Sequence, residues 1–277
     1  MPKFLKDLGR NKLAIIGIII VITIILTAIF APYLAPNSYR EQDLRARLSP
    51  PSSDYPLGTD ALGRCVLSRI IYGSRIALAY GIVIVSISAA AGITLGLLAG
   101  FFGGYVDSII MRLVDITLSF PVLVLALAIV SALGPGLYNV MFVLGIVGWS
   151  TYARLVRGQV LSVRETDYVM AARALGASNF RMIVFHVLPN VIGPVIVVAT
   201  LHFPSALIAA SALSFLGMGA QPPLPCWGAI LADGRAYLRR AHWIATFPGV
   251  AIMLTVLGFN FIGDGLRDVL DPRLRKR

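Results

Sequence analysis

IALAYGIVIVSISAAAGITLGLLAGFFGGYV, residues 76–106, runs without a single charged side chain. An α-helix needs about 20 apolar residues to cross roughly 30 Å of hydrocarbon. This stretch therefore spans a bilayer, with room left for a short turn at Gly103-Gly104. Four more runs without Asp, Glu, Lys or Arg extend the pattern. Residues 13–31 form a first span. Residues 116–153 are interrupted by Gly134-Pro135-Gly136, which divides them into two spans joined by a tight turn. Residues 187–232 hold a span that ends near Leu213, because Gly217, Gly219 and Pro222-Pro223-Leu224-Pro225 cannot continue a helix. Residues 244–263 form the last. The predicted fold class is all-α, a polytopic membrane protein with six transmembrane helices.

Composition agrees: 57% of the 277 residues are hydrophobic and 13% charged, against about 25% charge in ordinary globular domains. Six spans put both termini on one side. The arm (Lys3, Lys6, Arg10, Lys12), Arg112, the loop from Arg154 to Arg181 and the tail (Arg267, Arg273, Arg275, Lys276, Arg277) hold 15 of the 24 basic residues. Excess Lys and Arg marks the cytoplasmic face, so both ends are expected in the cytoplasm and the net charge of +11 reflects membrane orientation and lipid contact rather than nucleic acid. Cys65 and Cys226 lie in neither a CxxC nor a Cys/His cluster, which excludes the usual zinc spacing. The first apolar run exceeds a signal-peptide core of about 7–15 residues and reads as a retained span.

Two outward segments are expected. Residues 32–75 are Pro-rich and then amphipathic, with Asp60 placed to cap a helix whose apolar face is Val66, Leu67, Ile70 and Ile71. Such a helix would lie flat on the membrane surface. Residues 214–243 form the second segment, and with both cysteines outside, a disulfide is chemically permitted.

The most polar inward loop carries the mechanism. Thr166 can cap a short helix with Asp167 in its first turn. Tyr168, Ala171, Ala172 and Leu175 share one face, Gly176 can take the left-handed conformation that ends it, and Ser178 after Ala177 can cap a second helix bearing Phe180 and Arg181. Leu188-Pro189 opens the next span. The bland reading is a surface hairpin that only connects spans; the functional one is a knob for another protein's groove. Elsewhere, Arg112 and Asp115 sit three apart and should pair, as should Asp264 and Arg267. Gly92, Gly96 and Gly100 form a small-residue stripe suited to close helix packing, against a neighbour the sequence does not identify. Pro194 and Pro204 kink the fifth span, as packing geometry or as a hinge.

The loop resembles the "EAA" coupling loop of membrane subunits of ABC importers: Ala171-Ala172, three residues, Gly176, then Leu188-Pro189. Pro56-Leu57-Gly58-Thr59-Asp60-Ala61-Leu62-Gly63-Arg64, Ser214-Phe215-Leu216-Gly217-Met218-Gly219-Ala220-Gln221-Pro222-Pro223 and Gly263-Asp264-Gly265-Leu266-Arg267-Asp268 resemble segments of the dipeptide/oligopeptide/nickel permease family, C-type subunit. Met170 stands where the loop's name-giving glutamate would be, His186 replaces the usual isoleucine, and Cys65 sits where aspartate is common. The resemblance implies a type I importer permease (MetI-like) architecture: a cytoplasmic arm 1–12, the first span, an outer segment 32–75, a core of five spans over 76–266 with coupling loop 158–188, and a tail 267–277, all in the cytoplasmic (inner) membrane. It implies as partners a homologous second permease, two ABC ATPases, an extracytoplasmic solute-binding protein and membrane lipid, and as cargo a peptide, or a nickel chelate or sugar. The ATPase-coupling residues would be Glu165, Asp167, Tyr168, Ala171, Ala172, Leu175, Gly176, Ala177, Ser178, Phe180, Arg181, Leu188 and Pro189, with Glu165, Asp167 and Arg181 taking over from the missing glutamate. Transport would proceed by alternating access.

All four lysines lie at the termini, so a Walker A loop is absent and energy must come from a partner. No catalytic residue, cofactor or metal is expected. An ion-coupled transporter should carry ionisable groups at mid-bilayer, and only His202 qualifies; an intramembrane enzyme would need paired groups, but His186, His202 and His242 fall at different depths. His202, Ser211 and Ser214 are the candidate pathway or gate residues, with His202 read alternatively as a satisfied interhelical hydrogen-bonder.

Overall fold

The computed structural model describes residues 11–270; the expectations for the arm 1–10 and for the tail beyond Leu270 lie outside them. Among the described residues there is no β-strand, only a single bridge between Thr59 and Cys65. Helix α1 (Lys12–Ile29) starts where Asn11 caps it, the side chain accepting from the amides of Leu13 and Ala14. Its last carbonyls, orphaned as at any helix end, are met by Arg75: Nε donates to Ala28 O at 2.6 Å and Nη2 to Ile29 O at 3.1 Å. A short α2 (Ala31–Leu34) and a 3-10 turn (Leu44–Ala46) follow.

Helix α3 (Val66–Phe102) is 37 residues long, about 55 Å at 1.5 Å per residue. This corrects two expectations. The amphipathic stretch is the first part of α3 itself, not a separate helix lying on the surface. Asp60 does not cap it either: Oδ1 accepts from the amides of Leu62 and Arg64, while Oδ2 accepts from Arg64 Nε at 2.7 Å and Arg69 Nη1 at 2.6 Å. The helix can begin early because the charges on it and before it find partners: Arg69 in Asp60, Arg75 in the end of α1. Cys65 holds the N-cap position without a side-chain cap bond, and an acid is what that position favours, which accounts physically for the aspartate common there in the resembling family. Cys65 and Cys226 are both buried and free.

Helices α4 (Gly104–Leu118) and α5 (Val122–Leu133) meet at 91°. The third span thus begins at Gly104 rather than at 116, and Pro121 marks its break. Helices α6 (Leu137–Val147) and α7 (Trp149–Val163) run on as one candidate span of 27 residues, Leu137–Val163. Then come α8 (Asp167–Ala174), a single turn α9 (Asn179–Arg181), a π-helical segment (Met182–Val187), α10 (Leu188–Phe215), α11 (Trp227–Arg235) and α12 (Trp243–Leu270). Among the described residues, five helical segments are long and apolar enough to cross a membrane, and six if the bent pair α4–α5 counts as one span.

Small residues set the tightest helix pair, α3 on α7. A Cβ on Gly96 would lie 2.7 Å from Ala153 O and one on Gly100 2.7 Å from Val160 Cβ. The glycine stripe therefore faces a helix of this chain, as small-residue stripes do where backbones approach closely. Charge ties α7 to the next helix, α4, as well. Arg157 Nε and Nη2 grip Asp107 of α4 at 2.5 and 2.6 Å, and Arg154 reaches Asp115 at 2.7 Å. The expected Arg112–Asp115 pair is not formed, because Asp115 takes Arg154 from α7 instead. Among the described residues Asp264 and Arg267 are not paired either. Helix α10 packs on α12 through Phe203 and Phe259, stacked at 3.6 Å, and α12 packs on α1, where a Cβ on Gly17 would lie 2.6 Å from Gly258 O.

Candidate functional site: the 165–188 hairpin and the central cavity

Glycine at 176 decides the hairpin. With φ of 81°, in the region that costs an L side chain most, it lets Gly176 N bond Arg173 O and Ala177 N bond Ala172 O. These two bonds are the paired closure of a Schellman motif, so α8 stops and the chain reverses. Ser178 Oγ accepts from Arg181 N at 3.4 Å and starts the second arm. Thr166 occupies the N-cap of α8, but its hydroxyl donates backwards to Val163 O at 2.6 Å and caps nothing. Asp167 lies in the first turn, where the helix dipole favours it.

The inner face of the hairpin is fastened to the bundle. Val169, Met182 and Val187 are buried, and the last two pack with Leu97, Phe101, Val156 and Val160 of α3 and α7. Two arginines at the same seam were not singled out by sequence reading. Arg173 stands 5.9 Å over the Phe101 ring, and Arg164 Nη1 donates to Gly100 O at 3.0 Å, meeting a free carbonyl at the end of α3. Their signal was only that of one more loop arginine; the partner is revealed by the fold. Arg164 Nε also holds Glu165 at 3.0 Å.

The outer face is bare. Leu175 is 88% exposed, Phe180 74% and Phe185 66%, with Tyr168 and Met170 each near half. Asp167, Ala171, Gly176, Ser178, Arg181 and Pro189 are exposed too, while Ala172, Ala177 and Leu188 are half-buried at the seam. A patch of aromatic and aliphatic side chains on a polar hairpin is the composition of an interaction surface, not of a solvated connector.

A second feature sits midway along the bundle. A cavity of about 580 Å³ opens beneath the α4–α5 elbow, with Thr117 and Val122 on one side and Thr151, His202 and Ser205 on the other. His202 Nδ1 lies 3.1 Å from the hydroxyl of fully buried Tyr152, so the histidine is both a satisfied interhelical hydrogen-bonder and a wall of the cavity. Ser211 and Ser214 do not join it. Ser214 Oγ donates to Ala210 O and meets Tyr80 OH at 3.2 Å. A Cβ on Gly228 of α11 would collide with the backbone of Ser211, so α10 and α11 pack closely there.

Comparison with known proteins shows the family and the fold. The family model described as "binding-protein-dependent transport system inner membrane component" matches residues 92–276, and that of the "N-terminal TM domain of oligopeptide transport permease C" matches residues 3–51. The chain is 49% identical over 270 residues to the dipeptide transport system permease protein DppC of Alkalihalophilus pseudofirmus, covering 98% of this chain and 89% of that one. It is 46% identical to the di/tripeptide transport system permease protein DppC of Pseudomonas aeruginosa, over 99% and 93% of the two chains. It is likewise 46% identical to the probable D,D-dipeptide transport system permease protein DdpC of Escherichia coli, over 98% and 91%. Among solved structures, an inward-facing MetNI methionine ABC transporter aligns with a TM-score of 0.58 at 20% identity, over 73% of this chain and 96% of that one. At that identity it is the fold that is shared.

Proposed function

We propose that this chain, which belongs to the family of binding-protein-dependent transport inner-membrane components, is the permease subunit of an ATP-driven importer of di- or oligopeptides. It is a multi-pass membrane protein of the inner membrane and not itself an enzyme. In the proposed assembly it pairs with a homologous permease, two ABC ATPases seat on the cytoplasmic side, and a solute-binding protein delivers cargo outside. Peptide cargo is supported by relatives named for dipeptides and di/tripeptides at 46–49% identity.

The observation that carries this reading is the two-faced hairpin. Leu175, Phe180 and Tyr168 point away from the fold, while Val169, Met182 and Val187 are locked into it. Exposed anchors of this kind fill a partner's groove, and a few of them supply most of the binding energy. A push on the outer face is then delivered through the buried face to the ends of α3 and α7, and through the Pro-containing α10 to the wall of the cavity. Closure of the ATPases would tilt these helices and swap the cavity between inward-open and outward-open, which is alternating access. Orientation follows from the basic excess on the hairpin side, so the hairpin is cytoplasmic and α11 is outside. In this reading the elbow and His202 line the path, and Tyr152 fixes the ring.

The test is uptake of a radiolabelled dipeptide by the reconstituted complex of both permeases, both ATPases and the solute-binding protein. ATP-driven uptake that Leu175→Asp abolishes, with assembly of the permease pair intact, supports the reading. Uptake that needs neither ATP nor the ATPases overturns it.

A further inference from the structure

At the end of the bundle opposite the hairpin, two guanidinium groups are buried together with too few acceptors. Arg64 is 8% exposed and Arg69 3%, and both are tied to Asp60, itself 1% exposed. Arg64 uses only Nε in that contact. Among the described residues, neither of its Nη groups has a hydrogen-bond partner, and Arg69 Nε is buried and unpartnered. One other carboxylate faces them. Asp233 of α11 lies 3.8 Å from Arg64 Nη2 and 3.9 Å from Arg69 Nη1, beyond hydrogen-bond reach, with its side chain 53% exposed. A guanidinium carries five donors in a planar fork, so most of these donors have no acceptor among the described residues. Buried charges in proteins are ordinarily completed by hydrogen bonds as well as by counter-charge.

The incompleteness faces open space. Asp60, Arg64 and Asp233 line a cavity of about 330 Å³, closed on its other sides by Leu62, Ala236 and Tyr237. That is the small end of the range for small-molecule sites, roughly 300–1,000 Å³, and too little for a folded segment of another protein. Carboxylates are the group a guanidinium fork receives best, through two parallel N–H···O bonds. Asp233 is held loosely enough to yield. Its partial burial pushes its carboxyl above the ordinary carboxylate range, against the opposing pull of Arg69 and Arg64.

We infer that this cavity is a carboxylate-binding site in which the C-terminal carboxylate of a short peptide displaces Asp233 and seats on the free Nη groups of Arg64. The inference rests on the peptide-importer reading, with the α11 side facing outward. The site would be an entry station, taking the peptide by its terminus at the mouth of the permease before the central cavity receives it. Asp233 acts there as an internal competitor, its carboxylate within 4 Å of both guanidinium groups.

The experiment is calorimetric titration of the full complex in lipid nanodiscs, without the solute-binding protein, using Ala-Ala, the C-terminal amide of Ala-Ala, and acetate. Ala-Ala should bind at least tenfold more tightly than its amide, and Asp233→Asn should raise affinity for Ala-Ala at least tenfold by removing the competitor. Asp233 is half-exposed, so that variant leaves the fold intact, and Arg64→Gln is the reciprocal variant, expected to abolish binding. Equal affinity for peptide and amide, or an Asp233→Asn complex that binds no more tightly, overturns the inference. Acetate binding that depends on Asp233 while Ala-Ala gives none also overturns it, by excluding cargo as the source of the carboxylate. The importer reading stands or falls separately, on ATP-driven uptake.

Discussion

The two ends of the bundle solve opposite problems. At the α11 end polarity is buried: Asp60, Arg64 and Arg69 are enclosed, and Trp243 Nε1 donates to Thr59 O at 3.1 Å while Trp227 Nε1 donates to Ile70 O at 3.0 Å. At the hairpin end apolarity is exposed, with Leu175, Phe180 and Phe185 standing in the open. The first end is knitted to itself through side chains that reach across long stretches of sequence. The second completes its inner face and leaves its outer face for something else. On the proposed function, this contrast would suit a lever, with one end stiff and the other receiving a load.

Four variants break or sharpen that contrast. The largest effect is expected from Leu175→Asp with Phe180→Asp, which leaves the inner face untouched. Loss of two anchors should cut ATP-driven uptake by about 30-fold or more, the scale of a hot-spot deletion, with unchanged membrane levels. Equal uptake would make the hairpin a mere connector. Next comes Asp60→Ala at the stiff end. Leaving Arg64 and Arg69 buried without their acid should cost about 3–5 kcal/mol, visible as a large drop in the thermal midpoint followed by tryptophan fluorescence; a midpoint that stays put would mean the cluster is not what stiffens this end. Gly96→Val, between the two ends, forces a side chain against Ala153 O and Val156 and should destabilise by about 1–3 kcal/mol through overpacking. The α3–α7 seam is less tight than described if detergent stability is unaffected. The smallest effect is that of Gly176→Ala. A Cβ there meets no atom within 4 Å, so the penalty is the left-handed backbone alone, about 1 kcal/mol. Hydrogen exchange at the Ala177 amide should speed up about fivefold with global stability unchanged; no change would show the hairpin closure to be held by packing instead.

Much of this was legible in the sequence, for identifiable reasons. Apolar runs report where lipid must be crossed, and the spans at 13–31, 187–213 and 244–263 coincide with α1, α10 and α12 to within two residues, α12 continuing beyond its run to Leu270. Gly176 was legible because its local chemistry admits one outcome. Helix ends were less so, because an apolar run marks contact with hydrocarbon, whereas a helix continues as long as its charges find partners. Arg69 finds Asp60 and Arg75 finds the end of α1, so α3 starts at Val66, ten residues before its uncharged run. Asp107 finds Arg157, so α4 starts inside what read as a polar boundary. Such partners lie up to 50 residues away, and spacing along one helix names the wrong one, as Arg112 and Asp115 illustrate. In the candidate site Tyr168, Leu175 and Phe180 were expected from the sequence and are exposed, but Phe185, the arginine seam at 164 and 173 and the cavity beneath the elbow needed tertiary structure. Ser211 and Ser214 lie outside this cavity, since a small polar residue in a span also lets α11 close in.

The most direct test of the central claim is photo-crosslinking from position 175 in membranes containing the assembled complex, with a benzophenone amino acid in place of Leu175. A hairpin that carries the motor's load should give an adduct with an ATPase subunit as the major product. Adducts with lipid alone, in a complex that still imports peptide, would contradict it.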